Sequence, residues 1–211
     1  MGEGDSGAGR GRRRSAGGWR GAGADGPDPE SSVAADAEPD PASVARAIVL
    51  RQLTSSAKSR LQLARKLAER NIPEDVAEAV LDRFQEVRLI DDADFADMWV
   101  RSRSQSRKLA KGALRRELSD KGIDADTAAA ALEQVSDADE EEAARVLVER
   151  KLRPGTDLSD RAERDKMTRR LASMLARKGY QPAQAFRVVG EVIDARLDGR
   201  QASRDGYEPE L

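Results

Sequence analysis

The sequence predicts an all-α protein: three tandem three-helix repeats forming an elongated curved array, with a disordered N-terminal tail. Three observations carry this. Ala, Leu, Arg, Glu and Lys dominate the body of the chain, and all are good helix formers. Apolar residues recur there at spacings of three and four, as in Leu63/Leu67 and Val76/Val80/Phe84, while alternating β-branched runs bounded by turns are missing. Self-comparison aligns three segments without gaps, Leu63 to Phe84, Leu114 to Val135 and Leu171 to Val192, at offsets of 51 and 57 residues.

The tail comes first in the chain. Leu, Ile, Val and Phe make up only about 18% of the 211 residues, a level at which a highly charged chain is expected to stay unfolded. The average hides two kinds of segment. All but Val33 and Leu211 of these residues lie between 44 and 197, where the fraction reaches about 24%. Residues 1–43 hold 10 of the 17 glycines and 4 of the 8 prolines. Such a segment cannot offset its ordering entropy and reads as a disordered tail. Residues 198–211 read as a flexible C-terminus for the same reason. The run Arg12-Arg13-Arg14 near Trp19 resembles a basic arm, but the acids around it outnumber the bases of the tail.

The body divides into repeats at 44–90, 91–136 and 137–197. The first opens with a helix at about 44–53. Each aligned segment then starts with a Leu-x-x-x-Leu pair: Leu63/Leu67, Leu114/Leu118 and Leu171/Leu175. A basic residue follows (Arg70, Lys121, Lys178), then Asn71, Gly122 or Gly179, then one apolar side chain (Ile72, Ile123, Tyr180). Asn and Gly tolerate the left-handed conformation just past a helix end, and the cation before them complements the helix dipole. Pro73 and Pro182 suit the first position of the next helix, and Asp124 suits its N-cap. Ala77, Ala128 and Ala185 permit close helix approach within each repeat.

The second repeat opens after Ile90. Asp91 fits an N-cap, and Ile90 and Phe95 fall at the positions of a hydrophobic staple. The first helix of the third repeat runs from about Asp139 to Leu152, and an insertion around Arg153-Pro154-Gly155 accounts for the larger second offset. Trp99 and Phe95 are expected in the core between the first two repeats, with base stacking on Trp99 a lesser alternative.

Composition removes most enzyme chemistry. Without cysteine there is no thiol nucleophile or thiolate metal site, and without histidine no catalytic triad or His-ligated zinc. No phosphate-binding loop of the Walker type occurs, nor a dinucleotide-binding glycine motif. The acidic clusters Asp91, Asp92, Asp94, Asp97 and Asp137, Asp139, Glu140, Glu141, Glu142 are explained first by helix capping. We therefore expect no catalytic residue, no metal and no cofactor. No apolar run reaches membrane-spanning length, and the chain is expected to be a cytoplasmic monomer.

What remains is charge. Residues 46–70 hold seven bases and one acid, 99–121 eight and two, and 161–178 seven and two. The middle helix of every repeat is thus read as basic, suited to a phosphate backbone or an acidic protein groove. The candidate contact residues are Arg101, Arg103, Arg107, Lys108, Lys111, Arg115, Arg116 and Lys121 centrally, with Arg65, Lys66, Arg169 and Arg170 in the flanking repeats.

Three stretches resemble a known family, the bacterial RecX regulators of the RecA recombinase. They are Leu89-Ile90-Asp91-Asp92-Ala93-Asp94-Phe95-Ala96 with Trp99-Val100-Arg101-Ser102-Arg103, then Lys111-Gly112-Ala113-Leu114-Arg115-Arg116-Glu117-Leu118 with Lys121-Gly122-Ile123, then Ala176-Arg177-Lys178-Gly179-Tyr180. The likeness covers roughly 44–197. Near Ser56 the family often carries an arginine that this chain lacks. The resemblance implies a non-enzymatic protein that binds RecA filaments and restrains ATPase, strand exchange and coprotease activities, by blocking subunit addition or promoting disassembly. The expected partner is the RecA filament, with single-stranded DNA as a second candidate. The alternatives are a helical protein that binds single- or double-stranded DNA without RecA, and a helical scaffold for an unrelated partner.

Overall fold

A computed structural model of the protein describes residues 40–153, 155–156 and 158–205, with side chains up to residue 199. The expected tail up to residue 39, with its arginine run, and the last six residues lie outside the described residues. Those described contain nine helices and no strand. They are α1 Pro41–Ser55, α2 Arg60–Ala68, α3 Glu74–Glu86, α4 Asp92–Arg107, α5 Lys111–Asp120, α6 Ala125–Leu132, α7 Asp137–Lys151, α8 Arg161–Arg177 and α9 Pro182–Asp205.

Capping sets where these helices begin. The Asp40 carboxylate accepts from the amides of Ala42 and Ser43 and Pro41 takes the first helical position, so α1 starts before the expected residue 44. Ser59 and Gln62 form a capping box on α2. Asp91 and Asp124 cap α4 and α6 as their sequence positions predict. Pro73 is the N-cap of α3 rather than its first residue, while Pro182 does open α9. Helix α9 continues to Asp205, so at 198–205 the expected flexible end is helical.

Each second helix ends the same way. Asn71, Gly122 and Gly179 have φ of 57°, 79° and 92°. The amides of Ile72, Ile123 and Tyr180 reach back to the carbonyls of Leu67, Leu118 and Leu175 at 3.1–3.2 Å, closing three equivalent Schellman turns. Ile123 and Tyr180 are buried, and Ile72 is partly buried, in the same cores as the leucines they reach.

Each repeat has its own core. One cluster is built from Leu63, Leu67, Ala77, Leu81 and neighbours, the next from Phe95, Leu114, Leu118 and Leu132, the third from Leu147, Leu171, Leu175 and Val189. The first helices contribute equivalent pairs, Ala45/Val49, Ala96/Val100 and Ala144/Val148, all at 0% exposure. Ile90 lies in the first core and Phe95 in the second, so the expected staple between them does not form. Two buried leucines, Leu152 and Leu158, tie the insertion between α7 and α8 to the third core.

Polar joints connect the repeats. At the first, the Ser59 hydroxyl donates to the Lys121 carbonyl (2.7 Å) and the Arg60 amide donates to the Asp92 carboxylate (2.9 Å). At the second, the Ala110 amide donates to the Lys178 carbonyl (3.0 Å) and the Lys111 amide to the Glu140 carboxylate (3.1 Å). The turn glycine of the later repeat presses on the second helix of the earlier one. A Cβ at Gly122 would lie 2.6 Å from Leu61, and one at Gly179 only 2.2 Å from the Ala113 amide nitrogen. The second joint is the fuller. Lys178 Nζ donates to the Arg107 carbonyl (2.6 Å), the Tyr180 hydroxyl donates to the Lys108 carbonyl (3.1 Å), and Ala110 is buried in the third core.

Two stability measurements test these joints. Gly179→Ala, with φ of 92° and backbone in the way, is expected to cost more than about 1 kcal/mol in urea unfolding. Gly190→Ala, helical and with open space, is expected to gain roughly 0.5–1 kcal/mol. Equal effects of the two would refute the tight joint. Burial pushes the half-buried Asp92 carboxyl above the usual range, against the lowering by the Arg60 amide and charge. A pKa raised by folding contributes stability at low pH that is lost as pH rises through the folded value. Asp92→Asn is therefore expected to remove the part of the Tm loss that comes as pH rises above the ordinary aspartate range. A parent-like profile in the variant would remove Asp92 ionisation from the first joint.

Candidate protein and nucleic-acid interface

The basic candidates are divided among several helices. Arg101, Arg103 and Arg107 sit on α4, while Lys111, Arg115 and Arg116 sit on α5, so segment 99–121 is two helices rather than one basic middle helix. Lys108 and Lys121 are the C-caps of these helices. Arg65 and Lys66 lie on α2, and Arg169 and Arg170 on α8.

Several candidates have partners inside the chain. Arg103 and Lys121 flank Trp99, with the guanidinium carbon 4.1 Å and the ammonium 4.0 Å from the ring centroid. Each such contact contributes about 0.5–1 kcal/mol at a partly exposed site. The indole N–H donates to Glu117 (2.8 Å), which also lies 3.8 Å from Arg103. Phe95 stacks on the same indole at 5.7 Å. Phe95 and Trp99 thus belong to the second repeat's own core, not to a core between repeats. Burial pulls the Lys121 amine below its ordinary range, and Glu117 opposes that shift.

Lys111 is paired with Asp137 (2.7 Å) and Lys66 with Glu69 (2.6 Å). Arg65 reaches the Asp120 carbonyl across the first joint (3.4 Å), and Arg169 donates to the Asp165 carbonyl within α8 (3.1 Å). The Lys108 backbone, at φ of 52°, is held by Tyr180. The side chains of Arg101, Arg107, Arg115, Arg116 and Arg170 are exposed and have no hydrogen bond or ion pair among the described residues.

Two of the exposed arginines line different clefts. Arg101 and Lys108 line a cleft with Asp139 and Glu142 from α7. Arg115 lines another beside Gln181, Gln184 and Arg187 of the third repeat. The carboxylates of the acidic clusters are used structurally. Asp91 caps α4, Asp139 accepts from Ser136 (2.6 Å), and Glu140, 9% exposed, holds the second joint. Sequence reasoning placed Lys178 and Tyr180 in the turn motif and Glu140 among the capping acids but missed their contacts across the second joint, which depend on how successive repeats meet. The equivalence of Lys178 with Lys121 in the alignment was the available signal.

Comparison with known proteins gives a consistent result. The family models for the first, second and third three-helix domains of RecX match residues 45–84, 91–132 and 139–189. The chain is 51% identical over 155 residues to the regulatory protein RecX of Streptomyces coelicolor, covering 74% of this chain and 80% of that one. It is 43% identical over 164 residues to the regulatory protein RecX of Mycobacterium avium, covering 78% and 93%. Among solved structures it resembles the crystal structure of RecX from Lactobacillus salivarius, with a TM-score of 0.62 at 22% identity over 72% of this chain and 97% of that one. At that identity the likeness concerns the fold.

The Trp99 assembly is open to a spectroscopic test. With Trp19→Phe as background, Trp99 is the sole tryptophan. Glu117→Gln is expected to release Arg103 and Lys121 and shift Trp99 emission to the red. An unchanged spectrum would show that Glu117 does not hold the two cations on the ring.

Proposed function

This chain belongs to the RecX family of regulatory proteins, and on that premise we propose that it binds RecA filaments and inhibits recombinase, ATPase and coprotease activities. It does so by blocking filament extension or promoting disassembly, acting as a cytoplasmic monomer without catalysis of its own. No helix among the described residues is long and apolar enough to cross a membrane.

The observation that supports this most is the set of unpaired, exposed guanidinium groups. They recur in two successive repeats whose relative position is held by the second joint. A helical polymer presents the same acidic or phosphate group at regular intervals, and cations carried on tandem repeats can meet several at once. Single-stranded DNA inside such a filament is a second counterpart for the same groups.

The reading is tested by titrating the protein into RecA's DNA-dependent ATPase. Inhibition near stoichiometric ratio is expected, and no change would refute it. Reversal of Arg107, Arg115 and Arg116 to Glu is expected to weaken inhibition at least about tenfold with helicity intact, since charge-assisted contacts contribute ~1.5–3 kcal/mol each. Parent-like inhibition by the triple variant would move the contact elsewhere. Tight, salt-steep binding to DNA alone, with no effect on RecA, would favour RecA-independent DNA binding.

A further inference from the structure

The repeat alignment identifies one pair of positions that behaves differently in the first repeat. Arg46 of α1 corresponds to Asp97 of α4 through the shared offset of 51, which also matches Ala45 with Ala96 and Val49 with Val100. The α7 equivalent is Arg145, next to Ala144, which matches Ala96. In the third-helix register, Arg83 of α3 corresponds to Gln134, in the turn just past α6, and to Glu191 of α9, through the offsets 51 and 57.

In two repeats these positions bridge the first helix to the third helix or to the turn just past it. Gln134 Nε2 donates to the Asp97 carbonyl and carboxylate at 3.4 Å. Arg145 forms an ion pair with Glu191 at 2.8 Å. In the first repeat both positions are arginine, and like charges cannot bridge. Arg46 turns to its own helix start, Ser43 (2.8 Å) and Asp40 (3.6 Å). Arg83 pairs with Glu86 on its own helix (2.9 Å). Between α1 and α3 lies a cleft of about 350 Å³ that both arginines line. Its floor is mostly apolar: Ala42, Val76, Ala79, Val80 and Phe84, with Asp75 the one acid on its edge.

We propose that this α1–α3 cleft is a docking slot for an acidic, apolar-anchored segment of a partner protein, whose carboxylate bridges Arg46 and Arg83. The segment supplies the group that Asp97 and Glu191 supply within the other repeats, and its apolar side chain covers Val76 and Phe84. A phosphate alone would satisfy the arginines but leave the apolar floor wet, which favours protein over nucleic acid. The local partners of both arginines are exposed ion pairs of small net value, so exchanging them for a bridging carboxylate costs little. The proposal does not require RecA to be the partner.

The probe is a short fluorescein-labelled peptide carrying Leu and Glu on one helical face, with the same peptide bearing Lys for Glu as its counterpart. Fluorescence anisotropy with the full chain reads the binding. The acidic peptide is expected to bind more tightly than the basic one. Arg46→Glu with Arg83→Glu is expected to weaken the acidic peptide at least about tenfold and to bring the basic peptide up. Ala79→Trp, at an exposed position on the cleft, is expected to block both peptides. Circular dichroism checks that each variant retains its helices. Equal binding of the two peptides, no exchange on charge reversal, or binding undiminished in Ala79→Trp would overturn the slot. So would binding of a labelled single-stranded oligonucleotide, but not of the acidic peptide, that is lost on reversing Arg46 and Arg83.

Discussion

The left-handed turn after each second helix is the constraint on which the rest of this structure depends. It satisfies the last carbonyls of that helix through the paired Schellman hydrogen bonds, and it packs Ile72, Ile123 or Tyr180 into the same core as the leucine that began the last turn. In the second and third repeats the same turn is also the face that meets the preceding repeat. Gly122 and Gly179 admit Leu61 and the Ala113 backbone where no side chain could stand. One backbone conformation thus closes a repeat internally and sets its attachment externally. A substitution there would act on both at once.

The joints show how polar groups work at such an attachment. Each places a carboxylate from the first helix of one repeat, Asp92 or Glu140, on the first amide of the preceding second helix. That amide is otherwise an orphan of the helix start, and the helix dipole favours the negative charge there. The joints then diverge. Lys178 closes the C-terminal end of α4 from the neighbouring repeat, whereas its counterpart Lys121 lies on Trp99. Burial lowers the pKa of both amines, but only Lys178 spans a joint with its ammonium group.

Much of this was readable from the residues alone. Asn71, Gly122 and Gly179 in register pointed to the three turns, and Asp91 and Asp124 to their caps, because these depend on local backbone chemistry. Helix bounds were less readable: Asp40 and Pro41 extend α1 into what composition marked as tail. Ile90 and Phe95 had staple spacing, yet the chain turns so that they enter different cores. The basic face was the least readable. Counting charges by segment cannot show that Arg103 and Lys121 sit on an indole or that Lys111 faces Asp137, since both depend on contacts between helices.

The separate cores bear on how the chain assembles as it is made. Apolar contacts lie mostly within one repeat, so each core closes loops of modest length, a condition for rapid folding. The first two cores can therefore form in order while later helices are still being synthesised. The third differs, because Ala110 from the second repeat is one of its buried members. Its completion draws on a residue of the second repeat, so the third core closes fully only once that repeat is in place.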